Sequence, residues 1–173
     1  MKYLEGATFE DDVIGVSTLG SSDRMRGAKT FLIGVLLAAV LVAAVPVTSG
    51  AASGSKEMRR KLLSLTNSAR RNNHLRPLEL NWRLSTSAAR HSRRMLERRS
   101  VFHTANLYRL VRRWHPSAWG ENVGMAGTVR RVHKLFMRSA GHRTNILRGG
   151  YSHVGIGVVR GGGRIWATVM FYG

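Results

Sequence analysis

Two short apolar runs near the C-terminal end, His153–Arg160 (HVGIGVVR) and Arg164–Phe171 (RIWATVMF), are joined by Gly161-Gly162-Gly163. Runs of this composition bounded by glycine read as an antiparallel hairpin. Upstream the apolar spacing is helical. Met58, Leu62, Leu63, Leu65 and Ala69 predict a helix over 56–73. After an extended connector over 74–82 that contains Pro77, Asn81 is placed to cap a second helix. Its inward side is Leu84, Ala88, Ala89, His91, Ser92, Met95 and Leu96, and it fades at Arg98–Ser100. Residues 101–126 show no long period and read as functional loop. Helical spacing resumes over 127–139, behind Thr128 as cap, and Gly141–Arg148 reads as a short helical turn. Helices followed by a terminal hairpin give an α+β domain over 56–173, with residues 51–55 (AASGS) as a flexible linker.

The N-terminal third obeys different rules. Phe31–Val47 is almost unbroken apolar sequence behind Arg24, Arg26 and Lys29, and small residues follow at Ser49–Ala52. The expectation for residues 1–50 is an extension plus a signal peptide cleaved after Ala51 or Ala52, the alternative being a retained membrane anchor with the basic flank inside. Either outcome makes the domain secreted, or extracytoplasmic and membrane-anchored. Met25 opens a well-formed signal peptide by itself, so a translation start there is the alternative to Met1.

Charge belongs to the domain. The chain carries 28 Lys and Arg against 9 Asp and Glu, net +19, and residues 51–173 hold 24 of the bases but only four of the acids. A solvated basic surface is the plain reading; attraction to an anionic membrane or wall polymer is the functional one, and nucleic acid ranks third because export makes that partner scarce. The absence of cysteine excludes disulfides, thiolate metal sites and a Cys nucleophile.

Several segments, in order, resemble the CAP superfamily of cysteine-rich secretory, antigen 5 and pathogenesis-related proteins, in its Cys-free bacterial branch. They are Asn67-Ser68-Ala69-Arg70, Leu78–Asn81 with Leu84, Ala88 and Ala89, Phe102-His103-Thr104, Gly120-Glu121-Asn122-Val123, Phe136–Leu147 (FMRSAGHRTNIL) and Tyr151–Gly157 (YSHVGIG). The resemblance implies an α-β-α sandwich around a small, three-stranded antiparallel sheet, with one strand inside 101–123. It also implies a cleft lined by histidines and glutamates that in some members holds a divalent metal such as zinc. Carried over residue by residue, His103, Glu121 and His142 are the metal candidates, and Glu121 with His142 would be the catalytic pair of a hydrolase.

The family's second glutamate has no counterpart, since 127–139 contains no acid, and Glu121 is the only acid after Glu97. Three ligands still meet zinc chemistry, but acid–base catalysis lacks its second proton carrier. The expected function is therefore a non-enzymatic extracytoplasmic module for a lipid-like or cell-envelope ligand. A metal-dependent hydrolase of cell-surface peptide or ester bonds is the alternative. Asn122 and Asn145 are expected to tie backbone by side-chain hydrogen bonds and Gly120 to permit close packing, while His91 and His133 read as ordinary helix residues and His153 as a sheet-face residue.

Overall fold

The computed structural model describes residues 49–173. The apolar run 31–47 and the alternative start at Met25 lie outside the described residues. Among the described residues no helix is long and apolar enough to cross a membrane.

The elements in chain order are α1 (Ser49–Arg71), β1 (Glu79–Leu80), α2 (Trp82–Glu97), α3 (Leu107–Val111) with a 3-10 turn at Arg112–Trp114, β2 (Trp119–Ala126), α4 (Val129–Arg138), α5 (Ala140–Ile146), β3 (His153–Gly161) and β4 (Arg164–Tyr172). The strands form one sheet in the order β1-β3-β4-β2. The β3–β4 hairpin turns through Gly162 and Gly163 at φ of 58° and 71°, a left-handed conformation that glycine adopts without steric cost.

Helices cover both faces of the sheet, and the strand alternation says which residues meet which layer. Val154, Ile156, Ile165, Ala167, Val169 and Phe171 form the larger core with Leu62 of α1, Val129, Val132 and Phe136 of α4 and Ile146 of α5. The other face receives α2, whose buried residues Leu84, Ser85, Ala88, His91, Ser92 and Met95 recur at helical spacing behind the Asn81 cap. α2 lies close because β3 presents glycine to it. A Cβ at Gly155 would run into Leu84, one at Gly157 into the Ala88–Ala89 backbone, and one at Gly161 into Leu96.

The α-β-α sandwich expected from the sequence is therefore present, with three corrections. Residues 51–55 are not a linker but the first turns of α1; Ala51 and Ala52 favour helix and offset the unfavourable propensity of Gly54. The sheet has four strands, not three, and is mixed: the two-residue β1 pairs parallel with β3, while the other pairings are antiparallel. The region 101–126 is not all loop. Its final eight residues are β2, whose sequence WGENVGMA hides its alternation because Glu121 and Asn122 are both buried polar residues.

Candidate functional site

β2 is an edge strand, and its consecutive residues Gly120, Glu121 and Asn122 face different surroundings. Gly120 lets two side chains close on the strand, since a Cβ would sit 2.5 Å from the Tyr151 hydroxyl and 2.7 Å from Asn145 Oδ1 and would have to displace them. Asn122 turns toward α5, where its Nδ2 donates to the His142 carbonyl at 2.9 Å. Asn145 Nδ2 donates back to Asn122 Oδ1 and to the Glu121 carbonyl. The roles expected of Gly120, Asn122 and Asn145 are thus seen directly: they lock α5 onto the edge strand.

Glu121 turns to the opposite face, toward α2 and the 103–104 loop. Its Oε2 accepts from His103 Nδ1 and from the Thr104 backbone N–H, both at 2.9 Å, and its Oε1 accepts from the Thr104 hydroxyl at 2.6 Å. Burial alone would push this carboxyl up. The hydrogen bonds from His103 and Thr104, with the nearby His91 adding to them, outweigh burial and hold it below its ordinary value. An ionised carboxylate only accepts, so His103 carries its proton on Nδ1 and keeps Nε2 free on a side chain that is 61% exposed.

His91 completes the cluster and is the member that sequence reasoning passed over. It is fully buried on α2, its Nδ1 is 3.0 Å from the Thr168 hydroxyl, its ring meets Phe102 edge-on at 5.1 Å, and its Nε2 has no hydrogen-bond partner. Burial lowers its pKa, with Glu121 opposing and Arg94 reinforcing, so it is neutral near pH 7. Its inward helical position was legible; its nearness to Glu121 comes from β2 lying across the sheet.

His142 makes no hydrogen bond to either member of the His103–Glu121 pair. It approaches β2 from the α4–α5 layer, where its ring packs on Phe136 at 5.1 Å, and burial, with the nearby His103 charge, lowers its pKa. The three metal candidates are thus a bonded pair and a third imidazole that reaches the edge strand from the other layer. Among the described residues no group of three or more His, Cys, Asp or Glu side chains could hold a metal ion. With His142 bonded to neither member of the His103–Glu121 pair, the arrangement does not fit the zinc site that the resemblance implied. His153 is a sheet-face residue, stacked on Tyr172 at 4.8 Å with Nε2 3.6 Å from Glu79. Trp114 stacks on Tyr172 and Trp119 packs on Tyr108, closing the smaller core.

This architecture is shared with known proteins. An uncharacterized protein, YkwD of Bacillus subtilis strain 168, is 33% identical over 133 residues, 73% of this chain and 51% of that protein. The chain thus spans about half the length of the curated relative it matches. An extracellular protein containing an SCP domain from Bacillus anthracis superposes with a TM-score of 0.58 at 20% identity, over 68% of this chain and 41% of that one. An outer surface protein from Borrelia burgdorferi does so with a TM-score of 0.61 at 20% identity, over 68% of this chain and 92% of that one. The model of the cysteine-rich secretory protein family, CAP, matches residues 63–171, from α1 to the end of β4, and the chain belongs to that family.

Proposed function

We propose that this chain is a non-enzymatic, extracytoplasmic binding module for an anionic or lipid-like component of the cell envelope, delivered by the 31–47 segment as a signal peptide or anchor. The observation that carries the reading is the state of Glu121. Its carboxylate is buried, ionised and held by three hydrogen bonds from His103 and Thr104, which suits a strut that fixes the 103–104 loop to β2. A hydrolytic base must reach a reacting water, whereas this carboxylate is buried and most of its acceptor sites are committed to protein donors. Two further facts support it: relatives of the same fold are an extracellular protein and an outer surface protein, and among the described residues no Arg or Lys side chain is within ion-pair distance of a carboxylate, so the Arg and Lys surface is left to solvent and ligand.

The test uses the full chain in neutral detergent, pelleted with isolated bacterial envelope fragments. Binding at low salt that falls away by about 0.5 M NaCl, where the Debye length is a few ångströms, is the expected result. No binding at any salt overturns the reading. Zinc-stimulated ester or peptide hydrolysis that disappears in Glu121→Gln would instead establish the hydrolase.

A further inference from the structure

The largest concentration of unused chemistry lies away from Glu121, in a groove of about 400 Å³ between α2 and α3. It exists because α3 is only five residues long and packs inward through Val111, leaving the outer turn of α2 uncovered. Leu84 and Leu110 make its floor. Its walls are cationic and aromatic: Arg83 and Arg90 from α2, Arg109 and Arg113 from the facing segment, Trp82 at the opening and Trp114 beside it. None of the four arginines has a carboxylate partner among the described residues. Four guanidinium groups around one concavity repel each other until an anion enters, and the planar fork of each matches a phosphate through paired N–H donors.

Two of these groups are already oriented. The Arg83 guanidinium lies 5.2 Å from the centre of the Trp82 ring and that of Arg113 lies 5.8 Å from the centre of the Trp114 ring. Stacking on an indole restricts the side chain while leaving the N–H edges free, which reduces the entropy lost on binding. Trp82 is 68% exposed, more than any other large apolar residue in the described core and surface. An exposed indole face offers a platform for the C–H surface of a sugar or polyol.

Spacing then selects the kind of anion. Arg83 and Arg90 are seven residues apart on α2, which the helical rise places ~10 Å from each other along the axis. Successive phosphates of a chain match that separation with each guanidinium extended over its own group, whereas a single phosphate would draw both side chains inward. A concave site also accepts a strand better than it accepts a flat bilayer. We infer that the α2–α3 groove binds a phosphodiester-linked polyol or sugar polymer of the envelope, with successive phosphates on Arg83, Arg90, Arg109 and Arg113 and the carbon backbone against Trp82. This rests on the envelope-binding reading above and assigns it a site and a ligand class.

The test is a titration of the full chain, in neutral detergent, with a fluorescently labelled glycerol-phosphate oligomer. The paired variants Arg83→Gln/Arg90→Gln and Arg109→Gln/Arg113→Gln alter exposed residues only, and each should weaken binding by about tenfold or more. Trp82→Ala should weaken it about threefold or more. The control pair Arg130→Gln/Arg131→Gln removes the same charge from exposed positions on α4, in the opposite layer, and should change binding by about twofold or less. Equal losses in groove and control pairs overturn the site while leaving the envelope reading intact. A parent chain that pellets with envelope fragments but ignores the oligomer overturns the ligand class alone. Single-stranded DNA of equal charge binding as tightly reassigns the groove to nucleic acid, and phosphatidylglycerol doped into the micelles displacing the oligomer reassigns it to a membrane surface; either result overturns the proposal.

Discussion

Arg70 carries a charge into the core without a carboxylate to meet it. Its Nε donates to the Arg76 carbonyl, Nη1 to those of Ile146 and Arg148, and Nη2 to that of Tyr151, all between 2.8 and 3.0 Å. One side chain thus fastens the end of α1 to the 146–151 segment that leads into β3. Arg70→Ala leaves these acceptors unpaired, and the expected loss is about 3–5 kcal/mol in urea unfolding. Arg70→Lys should recover less than half, because an ammonium cannot imitate the fork. Glu121 makes the complementary prediction in pH. Its folded pKa is below the ordinary value of 4.5, so its contribution is present above that pH and lost as pH falls through the lower folded value. Buried His91 and half-buried His133 and His142 have folded pKa values below the ordinary 6.5, so the unfolded chain takes up protons first and stability declines as pH drops below 6.5. Glu121→Gln should therefore flatten the stability curve below about pH 4.5 and leave the decline that begins at pH 6.5 in place, measured as urea midpoints between pH 7 and 3.

At the scale of elements, the contact between α2 and β3 depends on glycine. Gly155, Gly157 and Gly161 share the face that α2 covers, and the space where side chains would stand is taken by Leu84 at Gly155, the Ala88–Ala89 backbone at Gly157 and the Leu96 side chain at Gly161. Gly157→Ala must push α2 off the sheet, at an expected cost of about 3 kcal/mol or more. Gly141→Ala on α5 meets open space and should be neutral or stabilising by up to ~1 kcal/mol. Thermal unfolding of the two variants side by side checks the contrast. The helices were legible in the sequence because α1, α2 and α4 each bury one stripe at 3.6-residue spacing, and Asn81 caps α2 by accepting from the Leu84 N–H at 3.0 Å. β2 was illegible because its buried residues include a carboxylate and an amide satisfied by partners from other elements. β1 has two residues, too few for any period.

For the molecule as a whole, the net charge of +19 sets the terms. Basic residues spread over several helices with few acids to pair them repel one another, so added salt should raise the stability of the folded domain. Raising NaCl from 20 mM to 0.5 M at pH 7 should relieve about 1 kcal/mol, a Tm increase of roughly 2–4 °C at this chain length by calorimetry. The same salt should weaken binding to a polyanion, so stability and affinity are expected to move in opposite directions. An anion that fills the α2–α3 groove should itself raise Tm at low salt.

Periodicity, composition and the order of short motifs were enough to establish the layered α+β fold, the family and the hairpin, because each depends on local spacing or on a motif that travels as a unit. From which side each histidine approaches β2 is a different kind of information. Neighbouring residues on a strand point to opposite faces, so the placement of α5 on one side and α2 on the other ties His142 to Asn122 and brings His91 near Glu121. The α2–α3 groove has the same origin. Its arginines lie up to 30 positions apart in the chain, and only the packing of a short helix against a long one collects them around a single opening.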